Sequence, residues 1–106
     1  MKRAKSGRNL LVSSELAYLG RENFSAYCVS KARVFRLTRA LAMELAPHIA
    51  VNSVAPGPAN MPMLSLKSRS KEWIQKELDV PIKRLGHPYE ITALISFLCS
   101  LGKGFF

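Results

Sequence analysis

Tyr27 and Lys31 are the first residues of this chain whose types and spacing suggest chemistry. They stand four positions apart in the segment Tyr-Cys-Val-Ser-Lys. If residues 25–45 form one helix, this spacing places the phenol and the ammonium on the same face, one turn apart. A tyrosine ordinarily titrates near pH ~10, so it exchanges protons at neutral pH only where a cation stabilises the phenolate. Lys31 is placed to be that cation. Such pairs also occur as a tyrosine ring packed beside a lysine stem, and the neighbouring segments must distinguish a catalytic pair from a packing contact.

Two apolar segments flank the predicted helix. Residues 8–14 form an apolar run that ends in two serines, and residues 49–57 form a β-branched run that ends in Pro-Gly. Both runs are typical of buried strands that open into loops. Because α/β proteins bind their ligands at the carboxyl ends of parallel strands, the strand–helix–strand order predicts a βαβ unit with a functional loop after each strand.

On these motifs the chain resembles the C-terminal half of a short-chain dehydrogenase/reductase over almost all of its length. The family's Tyr-x-x-x-Lys motif falls on Tyr27 and Lys31, and its substrate-orienting serine, thirteen residues earlier, falls on Ser14. Residues 51–57 resemble the strand and Pro-Gly cofactor loop of the family, and residues 81–91 resemble the segment that leads into its last helix. The resemblance implies an α/β fold, the C-terminal half of a partial Rossmann-like doubly wound parallel sheet, with residues 1–106 as a fragment of a single domain.

The resemblance also implies catalytic roles. Tyr27 would give a proton to a carbonyl oxygen, or take one from an alcohol, while Ser14 hydrogen-bonds the same oxygen. Lys31 would stabilise the phenolate. The substrate is thus a small carbonyl or alcohol compound, and the activity is that of an oxidoreductase.

NAD or NADP would supply the hydride. By resemblance, Tyr27 and Lys31 face the nicotinamide ribose, and the backbone of Pro56, Gly57 and Pro58 lies against the nicotinamide. Glycine allows main chain to approach a ligand closely. Which of the two cofactors is used is not encoded in these residues.

Two features depart from the family pattern. Met61 stands where relatives usually carry a cofactor-binding threonine, a contact that only Asn60 or Ser65 could replace. No Gly-x-Gly-x-x-Gly run follows a strand, since the glycines lie scattered at positions 7, 20, 57, 86, 102 and 104. We therefore expect a chain truncated at both ends that lacks the N-terminal dinucleotide-binding half. Residues 61–78 resemble the family's mobile substrate loop and its helices.

Composition leaves alternatives open. The net charge is +9, but the basic residues are dispersed, and Arg33, Arg36 and Arg39 wind around the predicted helix as a solvated flank without a nucleic-acid-recognition motif. Cys28 and Cys99 fit buried thiols of a reducing, cytoplasmic compartment, and no apolar run is long enough for a membrane span.

With few strands to pair, we expect exposed apolar surface and hence homo-oligomers or association with a missing half. Besides the enzyme, the alternatives are an inactive remnant or interaction fragment and, less favoured, a basic nucleic-acid-binding module.

Overall fold

The computed structural model describes residues 1–61, 69–100 and 106. The elements follow one another as strand β1 (Gly7–Val12), a short 3₁₀ turn (Glu15–Ala17), helix α1 (Ser25–Leu45), strand β2 (Ile49–Val54), helix α2 (Lys71–Glu77) and helix α3 (Pro88–Ser100). The predicted helix over 25–45 and the strands on either side of it are confirmed. Ser65, one possible substitute for the missing threonine, lies outside the described residues.

The two strands pair in parallel, which confirms the predicted βαβ unit and the α/β class. Gly7 lies opposite Ile49, and the register continues to Val12 opposite Val54. Helix α1 is the crossover and packs on both strands. Because the strands run in the same direction, the loops that follow Val12 and Val54 leave the sheet at one edge.

The connection from α1 to β2 is short. Helix α1 ends at Leu45, and only three residues precede Ile49.

Thr38 is the buried polar residue of α1. Its hydroxyl donates to the Val34 carbonyl oxygen at 2.8 Å, so Thr38 has no unpaired donor on the packed face of the helix. The predicted solvated flank of α1 is confirmed, since its three arginines are exposed.

The core is small. Its buried apolar residues lie mainly on β2 and on the two segments that follow it, namely Ile49, Val51, Val54, Ala59 and Leu85. Large apolar side chains including Val12, Val29, Leu37, Leu94 and Phe97 are exposed. A parallel sheet normally has both faces and both edges covered, whereas this sheet has two strands among the described residues. The expected exposed apolar surface is therefore confirmed.

The prediction of two buried thiols is wrong. Cys28 is half-buried, and Cys99 is exposed near the end of α3. The sheet is too narrow to cover α3 on all sides, so a side chain of a buried type reaches solvent. No helix of the described ranges is long and apolar enough to cross a membrane.

Helix α3 is fixed at both ends. At its start, Glu90 accepts two hydrogen bonds from the Arg84 guanidinium, at 2.7 and 2.8 Å, and one from the His87 backbone N–H at 2.8 Å. These bonds, with Arg84 first, lower the pKa of Glu90 to about 2. Near the other end, Arg8 of β1 donates to the Leu98 carbonyl oxygen at 3.2 Å. The helix is therefore held against the sheet as one wall of the site described next.

Candidate active site

Ser13 joins three elements at the carboxyl edge of the sheet. Its backbone N–H donates to the Val54 carbonyl oxygen at 2.8 Å, and its hydroxyl donates to the Lys31 carbonyl oxygen at 2.9 Å. The residue is buried, so both bonds are shielded from water. Our sequence reasoning treated Ser13 only as a loop residue, and its one available signal was a second serine directly before Ser14. Ser13 sets the position of α1 relative to both strands.

Ser14 starts the 3₁₀ turn in an extended backbone conformation. Its Oγ accepts a hydrogen bond from the Leu16 backbone N–H at 3.2 Å. A hydroxyl has one donor and two acceptor positions, so this bond leaves the Ser14 proton for donation. The side chain is buried but lines a cavity. Ser14 is thus oriented by its own turn, and its hydroxyl proton stays available for a further hydrogen bond.

Tyr27 and Lys31 lie on one face of α1 near its start, as the spacing predicts. The Lys31 Nζ lies 5.7 Å from the centroid of the Tyr27 ring and donates to the Val12 carbonyl oxygen at 3.2 Å. The Phe24 ring meets the Tyr27 ring edge-on, with centroids 6.3 Å apart. Since an ammonium has three N–H donors, the bond to Val12 anchors Lys31 and leaves donors that can face a ligand.

The loop after β2 is held on the Ser14 side. The Glu15 backbone N–H donates to the Pro56 carbonyl oxygen at 3.1 Å. A Cβ atom placed on Gly57 would lie 3.3 Å from the Glu15 Oε2 atom. None of the described glycines has a positive φ, so Gly57 is favoured by this close approach and not by its backbone conformation.

The same loop is held on its other side by Gly86. The Gly86 N–H donates to the Pro58 carbonyl oxygen at 2.9 Å, and the Asn60 N–H donates to the Gly86 carbonyl oxygen at 2.8 Å. These two bonds form a short parallel bridge at Ala59. The residues just before α3 are therefore fixed to the loop of Pro56, Gly57 and Pro58, which the family resemblance predicts to face a nicotinamide.

All six sequence-predicted site residues line one cavity of about 430 Å³. Its wall includes Ser14, Tyr27, Lys31, Pro56, Gly57 and Pro58. Trp73 of α2, Ile91 and Ile95 of α3, and Met61 contribute apolar surface. A pocket that combines an apolar wall with a few polar groups is the usual form of a small-molecule site.

Sequence reasoning missed three charged residues of this cavity, Glu15, Arg21 and Glu77, which we call the acidic cluster. Arg21 forms an ion pair with Glu77, whose side chain is 3% exposed. Burial raises the pKa of Glu15, and the Glu77 carboxylate raises it further, whereas the Arg21 guanidinium opposes both. Arg21 also lies 4.9 Å from the Phe24 ring centroid and 5.4 Å from that of Trp73. No local pattern links these residues, because the chain brings them together from three separate segments.

Within the described ranges, no three histidine, cysteine, aspartate or glutamate side chains come together as a metal site would require. Besides Glu15, Arg21 and Glu77, the polar side chains of the cavity are three hydroxyls, a phenol and an ammonium. Such a set favours proton exchange and hydrogen bonding to an organic ligand.

Comparisons with known proteins agree with this geometry. A family model described as enoyl-(acyl carrier protein) reductase matches residues 1–105. Dehydrogenase/reductase SDR family member 4 of Homo sapiens is 39% identical over 103 residues, which are 94% of this chain and 37% of that protein. Glucose and ribitol dehydrogenase of Daucus carota is 32% identical over 108 residues, covering 100% of this chain and 37% of the relative. The chain thus spans well under half the length of these curated relatives.

Solved structures give the same result. A Sinorhizobium meliloti protein assigned as a short-chain alcohol dehydrogenase matches with a TM-score of 0.87 and 31% identity, over 98% of this chain and 42% of that one. A Beutenbergia cavernae protein assigned as an NAD(P)-dependent gluconate 5-dehydrogenase matches with a TM-score of 0.85 and 31% identity, over 92% and 40% of the two chains. The latter structure contains bound NADP.

Proposed function

Because the chain belongs to the short-chain dehydrogenase/reductase family and carries its C-terminal part, we propose that it supplies the proton-transfer portion of an oxidoreductase. The reaction moves a hydride between NAD or NADP and a carbonyl or alcohol substrate. The observation that carries this proposal is the meeting of Ser14, Tyr27, Lys31 and the Pro56–Pro58 loop on one cavity.

In the reductive direction, Ser14 donates a hydrogen bond to the carbonyl oxygen and holds it near the phenol. Tyr27 transfers its phenolic proton to that oxygen, so the O–H bond of the alcohol forms as the phenolate forms. Lys31 stabilises the phenolate electrostatically, beside the apolar wall of the cavity. The nicotinamide, when bound, supplies the hydride to the carbonyl carbon. Oxidation of an alcohol reverses these steps.

The residues present fit the nicotinamide end of the cofactor. The Lys31 ammonium and the Tyr27 hydroxyl are suited to ribose hydroxyls, and Pro56, Gly57 and Pro58 line the same cavity. The 106 residues contain no glycine-rich phosphate loop. We therefore propose that a dinucleotide-binding segment outside residues 1–106 completes the cofactor site.

A second candidate is a non-catalytic fragment that associates with a full-length relative. The observation that favours it is the exposed apolar surface, which includes Val12 on β1 and Phe97 on α3. Within the described residues, β1 pairs with β2 alone, so one edge of β1 offers unpaired backbone groups to another chain.

Nucleotide binding separates the two candidates. The experiment compares the 106-residue chain with a fusion that carries, ahead of residue 1, the N-terminal segment of a full-length relative. Under the first proposal the fusion binds NADH or NADPH in a fluorescence titration and reduces a panel of ketones and aldehydes. A folded fusion that binds nucleotide without turning over any of the panel would favour the non-catalytic candidate, and one that binds neither nucleotide would reject the enzyme.

A further inference from the structure

Helix α2 contributes two residues of one face to the cavity. Trp73 and Glu77 both line it, and their four-residue spacing places them on the same side of α2, one turn apart. Trp73 is half-buried and Glu77 is buried, whereas Glu72, Gln75 and Lys76 are exposed. The position of this part of the cavity wall therefore depends on what holds that one face.

The backbone of α2 makes no hydrogen bond to another element within the part of the chain that the structure describes. At its start, the Trp73 backbone N–H donates to the Ser70 hydroxyl oxygen at 3.2 Å. At its end, the Leu78 N–H donates to the Ile74 carbonyl oxygen at 3.0 Å. These bonds stabilise α2 internally, so its place at the cavity must come from side-chain contacts.

Arg21 supplies the side-chain contact to another segment. It lies in the loop before α1, and its guanidinium forms an ion pair with the buried carboxylate of Glu77. The same guanidinium lies 5.4 Å from the Trp73 ring centroid and 4.9 Å from the Phe24 ring centroid. Arg69 stacks on Trp73 as well, at 4.8 Å, but it lies two residues before α2 and belongs to the same local segment. Arg21 therefore joins α2 to the start of α1.

The chemistry of a guanidinium suits this position. Its planar edge can bond a carboxylate while its faces stack on rings, whereas the ammonium of a lysine is a point charge on a flexible stem. The two other ion pairs of the described residues span four and six positions, so the pair of Arg21 and Glu77 is the one that joins distant segments. Phe24, on which Arg21 stacks, meets the Tyr27 ring edge-on at 6.3 Å. The line of contacts from α2 therefore ends at the proposed catalytic phenol.

We propose that Arg21 is a positioning residue, which fixes α2 so that Trp73 forms part of the wall against which the substrate binds. Glu77 is the buried counter-ion through which Arg21 holds the helix. As a statement about substrate binding, this inference rests on the proposed function of the same cavity. Without the guanidinium, the Glu77 carboxylate is buried and unpaired, and α2 leaves its position to return that charge to water.

Trp73 reports the position of α2 directly, because it is the single tryptophan of the chain. Its fluorescence is quenched with acrylamide in the 106-residue chain. Arg21→Gln should raise the quenching constant about twofold and shift the emission to longer wavelength, because a half-buried indole becomes exposed. Arg36→Gln is the control, since Arg36 is exposed on α1 and the change of charge is the same. Equal quenching in Arg21→Gln and the parent chain would overturn the proposal.

A second substitution separates positioning from mere proximity of the guanidinium to the indole. In the Arg21→Gln background, Glu77→Gln removes the unpaired charge, so the quenching constant should return towards that of the parent chain. Glu72→Gln is the matched control on the exposed side of the same helix, and it should leave the quenching constant of Arg21→Gln unchanged. Equal effects of the two second substitutions would contradict the role of the ion pair.

Circular dichroism checks that each variant is folded. If Arg21→Gln does not fold, Arg21→Lys takes its place. It should raise the quenching constant to a smaller extent, because the charge remains while the stacking on the two rings is lost. A quenching constant of Arg21→Lys equal to that of the parent chain would then overturn the proposal.

Kinetics of the nucleotide-binding fusion test the link to substrate binding. With the ketone of the panel that the parent fusion reduces fastest, Arg21→Gln should raise KM about tenfold and change kcat less than about twofold, because the wall contributes binding and no proton. A fall in kcat at unchanged KM would reject this role. The expected quenching change without turnover in the parent fusion would reject the proposed reaction and keep the role of Arg21 in placing α2. Turnover with unchanged quenching in Arg21→Gln would keep the reaction and reject the role of Arg21.

Discussion

The Ser13 hydroxyl donates its hydrogen bond to the main-chain oxygen of Lys31, at 2.9 Å, across eighteen positions of sequence. The end of β1 is thereby tied to the helical turn that carries Lys31, the residue proposed to stabilise the Tyr27 phenolate. The Lys31 side chain returns the connection, since its Nζ donates to the Val12 carbonyl oxygen at 3.2 Å. Strand and helix hold each other at the point where the chemistry is proposed.

Ser13→Ala should lower the free energy of unfolding by about 1 kcal/mol, the usual net value of one internal hydrogen bond. Turnover of the nucleotide-binding fusion should also fall, because α1 loses a fixed position relative to Ser14. Urea unfolding followed by circular dichroism measures the first effect. Ser100→Ala is the control, since the exposed Ser100 donates to the Phe97 carbonyl oxygen of its own helix and bonds no other element among the described residues. Equal losses in the two variants would contradict the role of Ser13.

Tyr27→Phe should reduce turnover of the fusion about 10²- to 10⁴-fold, the range typical of a lost general acid or base. The ring and its edge-on contact with Phe24 remain, so the thermal midpoint should change little. Tyr89→Phe removes an exposed phenol outside the cavity and should leave turnover unchanged. Full activity in Tyr27→Phe would rule out the proton transfer proposed for this residue.

Gly57→Ala should weaken NADPH binding by the fusion while changing the free energy of unfolding by less than ~1 kcal/mol. The added Cβ would lie 3.3 Å from the Glu15 Oε2 atom, so the carboxylate or the loop must shift by a few tenths of an ångström. Gly20→Ala is the matched control, because a Cβ there meets nothing within 4 Å. Nucleotide affinity is measured by fluorescence titration, and combining Gly57→Ala with Glu15→Ala should recover part of the loss.

Acid should destabilise the chain through Glu90. Its pKa is lowered to about 2 in the fold, below the ordinary value near ~4.3 of an unfolded glutamate. The stabilisation is therefore complete above pH ~4.3 and is lost as the pH falls towards 2. Urea midpoints measured between pH 7 and pH 3 should fall less steeply in Glu90→Gln than in the parent chain. A parallel pair of curves would show that the Arg84–Glu90 bond does not contribute to this slope.

Glu15 should act with the opposite sign. Since its pKa is raised in the fold, its protonated form favours folding below the unfolded pKa, and that stability is lost as the pH rises through the folded pKa. Glu15→Gln should consequently be more stable than the parent chain at neutral pH. The exposed Glu22→Gln provides the same change of charge and should have little effect. A less stable Glu15→Gln protein would indicate that the carboxylate is better compensated than the geometry implies.

Local sequence patterns predicted the elements that position the site. The β-branched residues of β2 and the four-residue spacing of Tyr27 and Lys31 each report on their own segment, and each is found where it was expected. The predicted Pro-Gly turn is not formed, since residues 55–58 run as an irregular loop without a turn. The ion pair between Arg21 and Glu77 has no such signature, because the two residues lie in separate segments whose meeting depends on the tertiary fold. The two thiols were misjudged for a related reason, since burial depends on how many neighbours cover a helix and not on residue type alone.

The two backbone hydrogen bonds of Gly86 fix the loop after β2 to the segment that leads into α3. Arg84 lies in that segment and is bonded to Glu90 of α3. A substitution at Arg84 should therefore weaken the nicotinamide binding proposed for this loop, although the Arg84 side chain does not line the cavity.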